Sequence, residues 1–313
     1  MASNTSLNEG PQRNRLRFSI DHVSLLSARP RVWRVSLVLL LAALVAACGS
    51  SQSQWNENDG GTTRWIDVAG GRLKTRVYTG ASLSKSPVLV LVLHGDLPEP
   101  PPSYQYEFAK VVASGTANVA DVIAAGVLRP GYSDPAGDRS SGDMGRAIAD
   151  NYTPEVVDAV ARAARELSKA YHATTIVLVA HSGGAAVAAD LLGSHPDLAR
   201  GAVLVGCGCD PTAWRRKRRT ETGNPMFDGP TRSLQPLSLA SEVARGTVVR
   251  LVVGGNDDVV PPAQSHAYAT ALRERGIDVS VDEVPRLGHN ILFEPRVLDA
   301  VRDVLTTLDA RGR

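Results

Sequence analysis

Residues 178–184 read Leu178-Val179-Ala180-His181-Ser182-Gly183-Gly184, and an alanine-rich run follows at once. An apolar β-type segment that passes directly into helix-compatible sequence leaves room only for a sharp strand-to-helix turn. Small residues on either side keep such a turn free of clashes. Ala180 stands two residues before Ser182 and Gly184 two after it, so the hydroxyl of Ser182 is expected at the exposed tip of the joint.

The rest of the chain repeats this alternation of strand and helix. Arg64 to Tyr78 has the pattern of a hairpin turning at Gly70-Gly71, and Val88 to Leu93 is a continuous apolar run of the kind found in a buried strand. Pro98, Pro100, Pro101 and Pro102 force an extended loop, after which a helix is expected from Tyr104 to Ser114 and a strand from Val119 to Val127. The turn-rich segment Arg129-Pro130-Gly131-Tyr132-Ser133-Asp134 then sits above the strand ends. Pro154 opens a helix with Val156, Val157, Val160, Ala164 and Leu167 on one face. Thr175 to Val179, Gly201 to Val205, Val248 to Val253 and Val279 to Val284 read as further strands, with helices near Ala263 to Arg275 and Arg296 to Leu308. Strands alternating with helices imply an α/β fold, a mostly parallel central sheet covered on both faces. Only Cys207 to Ser241 breaks the rhythm; rich in Pro, Gly and Arg, it reads as a short cap over a pocket.

Two loops beyond strand ends carry the groups that a serine hydroxyl needs for reactivity. Gly254-Gly255-Asn256-Asp257-Asp258-Val259-Val260-Pro261 follows one strand, and Pro285-Arg286-Leu287-Gly288-His289-Asn290 follows the next. The chain order is therefore Ser182, an acid, then His289. Together with His94-Gly95 after the strand Val88 to Leu93, these segments make residues from about Arg64 to Leu308 resemble the α/β-hydrolase fold family of serine esterases and peptidases. The resemblance implies Ser182 as nucleophile, His289 as general base and Asp257, four residues before Pro261, as the acid orienting it, with Asp258 the competing carboxylate. It nominates the backbone N–H groups of Gly183 and Asp96 for the oxyanion hole. A carboxylate beside a developing oxyanion would repel it, so the Asp96 side chain is expected to turn away or to pair with a cation such as Arg129. His94, Tyr132 and His181 are candidate contributors to the substrate pocket, though His94 also suits a structural role holding its own loop.

The first 47 residues read as an address. Arg29, Arg31 and Arg34 precede an uncharged run from Val35 to Ala47 that is too short to span a bilayer, the pattern of a secretory signal. Its end, Val45-Ala46-Ala47-Cys48, resembles a bacterial lipobox, which implies lipid attachment at Cys48, an anchor in the lipid bilayer and location at the cell envelope; an ordinary signal peptide with an incidental cysteine is the alternative. Residues 48–63 then serve as a flexible tether, and 64–313 as a single hydrolase domain with the cap at about 207–241. Six of the 34 Lys and Arg and two of the 32 Asp and Glu lie before Cys48, which leaves 28 against 30 and no charge argument for nucleic acid.

Cys207 and Cys209 either pair in an oxidising compartment or sit as two small buried residues. Arg215-Arg216-Lys217-Arg218-Arg219, next to Trp214, is either a solvated helix face or a recruiter of anionic substrate or lipid. No H-x-x-x-H pattern, second cysteine pair or glycine-rich phosphate motif is present, so no metal and no cofactor are expected. The expected function is cleavage of a small carboxylic ester through an acyl-enzyme on Ser182. A peptidase or amidase with the same triad is the first alternative, and a non-catalytic binding lipoprotein the second.

Overall fold

Residues 58–80, 83–96, 99–145 and 149–312 are described by the computed structural model. The leader, Cys48 and the tether as far as residue 57 lie outside them. Among the described residues no helix is long and apolar enough to cross a membrane.

Eight strands form one sheet: β1 (Thr62–Val68), β2 (Gly71–Thr79), β3 (Val88–Leu93), β4 (Val122–Val127), β5 (Thr175–His181), β6 (Gly201–Val205), β7 (Val248–Gly254) and β8 (Asp278–Val284). Their spatial order is β1-β2-β4-β3-β5-β6-β7-β8. β1 and β2 form the expected hairpin and β2 meets β4 antiparallel; from β4 onward every neighbouring pair is parallel. The helices are α1 (Tyr104–Gly115), α2 (Pro154–Ala170), α3 (Gly183–Ser194), α4 (Pro211–Thr222), the short α5 (Pro236–Leu239), α6 (Pro262–Glu274) and α7 (Pro295–Ala310).

Period-two alternation divides the core between the faces of the sheet. Leu89, Leu91 and Leu93 of β3 pack into the cluster that contains α2, α3 and α6 residues such as Val157, Val187 and Tyr268. Val88, Val90 and Val92 of the same strand join α1 and α7 through Phe108, Val112, Val297 and Val301. A strand buried on both sides must be apolar throughout, which is why β3 reads as an unbroken run.

Several strand boundaries differ from the sequence reading by one to three residues, and two of them have a clear local cause. β4 starts at Val122 rather than Val119, because Val119 and Ala120 donate their N–H groups to the Thr116 carbonyl in the turn that closes α1. β5 runs on to His181, where its pairing with β6 carries it to the edge of the turn. The cap region contains α4, a single 3-10 turn at Pro225–Phe227, α5 and a second turn at Ala240–Glu242, with no strand.

Candidate active site

Ser182 occupies the joint between β5 and α3 with φ 56° and ψ −124°, a left-handed conformation that a side chain adopts at a cost of about 1–3 kcal/mol. Its backbone N–H donates to the Val205 carbonyl at 2.8 Å, and its own carbonyl accepts from Ala185 and Ala186, so strand and helix pull the residue from opposite sides. Glycine at 184 has a steric reason: a Cβ there would overlap the carbonyls of Leu93 and His94. At 180 the alanine methyl is accommodated in the packed core, opposite Leu93 of β3.

The geometry assembles three distant side chains. Ser182 Oγ lies 2.8 Å from His289 Nε2, and His289 Nδ1 lies 2.7 Å from Asp257 Oδ2. The other Asp257 oxygen, Oδ1, accepts from the N–H groups of Val259 at 3.0 Å and Val260 at 2.8 Å, which fixes the carboxylate in the loop after β7. Asp258 points into solvent. Gly206, at φ 56°, allows close approach: a Cβ on it would stand 3.2 Å from the His289 ring.

His181 braces the imidazole from behind. Its Nε2 donates to the His289 carbonyl at 3.0 Å, its Nδ1 accepts from the Tyr104 hydroxyl at 3.2 Å, and Tyr104 Oη accepts the Gly95 N–H. That pattern requires a neutral ring, and burial with the neighbouring His289 pushes the His181 pKa down to about 4. Burial, partly offset by the Gly95 N–H, raises the Tyr104 phenol to about 12, so it keeps its proton.

The loop after β3 is clamped by Arg129. Its Nη1 donates to the His94 and Gly95 carbonyls, both at 3.1 Å, and to Asp96 Oδ1 at 2.9 Å. Asp96 Oδ2 accepts from Tyr152 Oη at 2.5 Å and from the Ala149 N–H at 3.0 Å. The carboxylate is thus neutralised and saturated by its own partners. It also packs on Gly183, where any Cβ would overlap it. The Gly183 N–H is the first of α3 and, like the other groups of a helix's first turn, has no partner within the helix.

His94 and Tyr132 do not line the pocket. His94 is fully buried beneath the loop, donating Nδ1–H to the Gly95 carbonyl and accepting the Arg129 N–H at Nε2, and burial beside the Arg129 charge holds its pKa well below the usual value. Tyr132 is equally buried and donates its hydroxyl to the Asp96 carbonyl at 2.9 Å. Both support the loop from the far side, whereas His181 does reach the pocket wall. A cavity of about 350 Å³ opens over Ser182, and its wall carries residues the sequence did not single out: Tyr104, Tyr152, Phe227, Val259 and Val260. Trp214 joins them from the cap, buried, its indole N–H donating to the Val259 carbonyl at 2.7 Å and its ring 5.7 Å from Phe227. Cys207 and Cys209 form a disulfide at the start of the cap segment.

The charge run is not simply a solvated face. Arg215 is buried and donates to the Met226 carbonyl at 2.7 Å, Lys217 and Arg218 share Glu221, Arg219 pairs with Asp228, and Arg216 is the most open of the five. Among the described residues no group of three or more His, Cys, Asp and Glu is placed to hold a metal ion.

The prolyl oligopeptidase family pattern matches residues 134–308, more than half of the chain. No curated protein matches by sequence. Solved structures with the same fold include acylaminoacyl peptidase from Pyrococcus horikoshii, at 14% identity and a TM-score of 0.60 over 81% of this chain and 41% of that one. Est1E from Butyrivibrio proteoclasticus aligns at 14% identity and a TM-score of 0.55, over 80% of this chain and 98% of its own. A puromycin hydrolase aligns at 17% identity and 0.57, over 80% and 39%. The chain thus spans about two fifths of the length of the acylaminoacyl peptidase.

Proposed function

The chain belongs to the prolyl oligopeptidase family of the α/β-hydrolase fold, and from that premise we propose that it is a serine hydrolase cleaving a small carboxylic ester through an acyl-enzyme on Ser182. The observation that carries this reading is the continuous hydrogen-bond chain Asp257–His289–Ser182 beside an apolar cavity. Ser182 Oγ attacks the carbonyl carbon as His289 Nε2 takes its proton. The C–O π electrons move onto the carbonyl oxygen, where the Gly183 and Asp96 N–H groups would receive the negative charge. On collapse the leaving alkoxide departs with the proton from His289. Water, deprotonated by the same nitrogen, then attacks the acyl group, and Ser182 Oγ leaves with the proton returned by His289 as the acid is released. Asp257 holds the Nδ1–H tautomer and stabilises the imidazolium at each stage.

A cavity of about 350 Å³ lies at the small end of ligand sites, which supports a compact substrate. Cleavage of a peptide or amide is the second reading, favoured by the family match. Comparing p-nitrophenyl esters with aminoacyl p-nitroanilides tests the choice: faster turnover of the esters is expected, and Ser182→Ala should lower kcat on them about a millionfold. Anilides turned over as fast as esters would make the protein a peptidase.

Export and lipid anchoring at Cys48 belong to the same proposal. They rest on the leader's pattern and are supported by the Cys207–Cys209 disulfide, a bond of oxidising compartments. Cys48→Ala is expected to move the protein from the membrane fraction to the soluble one; unchanged fractionation would refute the anchor.

A further inference from the structure

One charged side chain on the cavity wall belongs neither to the hydrogen-bond chain at Ser182 nor to the clamp on the loop after β3. Arg218 follows Trp214 by four residues on α4, so both project from the same side of the helix. Its guanidinium carbon lies 5.8 Å from the centre of the Trp214 ring, and its side chain is 34% exposed, at the rim rather than in the core. Glu221 accepts from Arg218 at 3.2 Å but is shared with Lys217 at 2.5 Å, so the trio keeps one net positive charge.

The other charged groups of the cavity are already occupied. Asp96 is saturated by Arg129, Tyr152 and the Ala149 N–H; His289 is held by Asp257; His181 is neutral. Among the described lining residues Arg218 is the one lysine or arginine. Much of the remaining wall is apolar, built by Pro211, Trp214, Phe227, Val259 and Val260.

We propose that Arg218 anchors a carboxylate of the substrate, so that the bond cleaved at Ser182 belongs to an ester or amide with an apolar body and an anionic end. The proposal rests on the serine hydrolase reading and names its substrate class. The body gains by leaving water against Trp214 and Phe227. The planar guanidinium meets a carboxylate with two parallel N–H donors, a geometry that a lysine ammonium does not offer. Arg215 turns inward and Arg219 is paired with Asp228, so the neighbouring arginines do not duplicate the function.

Binding to full-length Ser182→Ala protein tests this without depending on turnover. In calorimetric titrations at low salt, 4-phenylbutanoate is expected to bind about tenfold more tightly than 4-phenylbutanol. The preference should shrink as ionic strength rises. It should vanish when Arg218→Gln is added, return in part with Arg218→Lys, and persist with Arg216→Gln, which alters the exposed neighbour. Equal affinity for the two probes, or a preference that Arg218→Gln leaves intact, would overturn the proposal. Should Arg218→Gln fail to fold, the salt dependence of the parent and the Arg218→Lys affinity decide the question. A protein that shows the carboxylate preference yet cleaves neither ester nor amide through Ser182 would instead sink the hydrolase reading.

Discussion

Ser182 illustrates how a residue can be legible from its immediate neighbours. Its turn needs small side chains at fixed offsets, and that demand is written in five adjacent letters, Ala180 to Gly184. Asp257 and His289 were readable for a related reason, since each lies in the loop after a strand, β7 an apolar run and β8 a run that alternates valine with polar residues. Assigning His94 and Tyr132 to the pocket failed because facing a cavity depends on which side of a loop the core takes, and sequence spacing carries no record of that. Asp190 was equally hidden. It lies inside α3, fully buried, with no hydrogen-bond partner on either oxygen, and desolvation raises its pKa well above the usual carboxylate range. The folded protein therefore holds a proton there that the unfolded chain releases above a pH of about 4. Stability should fall as pH rises from that point toward the raised folded value, by up to about 1.4 kcal/mol per pH unit. Asp190→Asn, which cannot ionise, is expected to gain stability over the parent increasingly as pH rises above about 4 in urea unfolding. A difference that stays constant with pH would show that the carboxyl does not titrate as its burial requires. His181 contributes in the opposite sense, losing stability as pH falls from about 6.5 toward 4, because the unfolded ring takes up a proton that the buried one refuses.

At the scale of elements, the strands and helices were nearly all visible because each obeys a single period. Strand β3 needs an apolar residue at every position, and α2 needs one face, Val156 to Leu167, on the sheet. The start of β4 was misjudged because Val119 and Ala120 are apolar enough for a strand while their N–H groups close a turn. The cap was legible as an interruption but not as a shape. Its helix α4 is set by local devices, an Asp210 side chain capping the Ala213 N–H at 2.8 Å and Gly223 in a left-handed conformation at the far end. Where that helix lies is decided by Trp214, whose indole bond to Val259 ties the cap to the loop bearing Asp257. One contact thus links pocket wall and triad, and no periodicity announces it.

For the molecule as a whole, the decisive feature is the place where the order of strands reverses. The chain leaves β3 for β4 on one side and returns as β5 on the other, and the loops beyond the ends of β3 and β5 bring His94 to Asp96 beside Ser182. A cleft at such a switch point is where open parallel sheets bind ligands. The loops after β7 and β8 then deliver the acid and the base to the same rim, so the site is a property of the sheet rather than of any one segment. The most direct test of this account is the rate at which a fluorophosphonate probe modifies the protein, read by intact mass and peptide mapping. The account predicts a single adduct on Ser182, absent in Ser182→Ala, formed more slowly by orders of magnitude in Asp257→Asn and at the parent rate in Asp258→Asn. An unmodified Ser182 in the folded parent, or equal rates in the parent and Asp257→Asn, would contradict it.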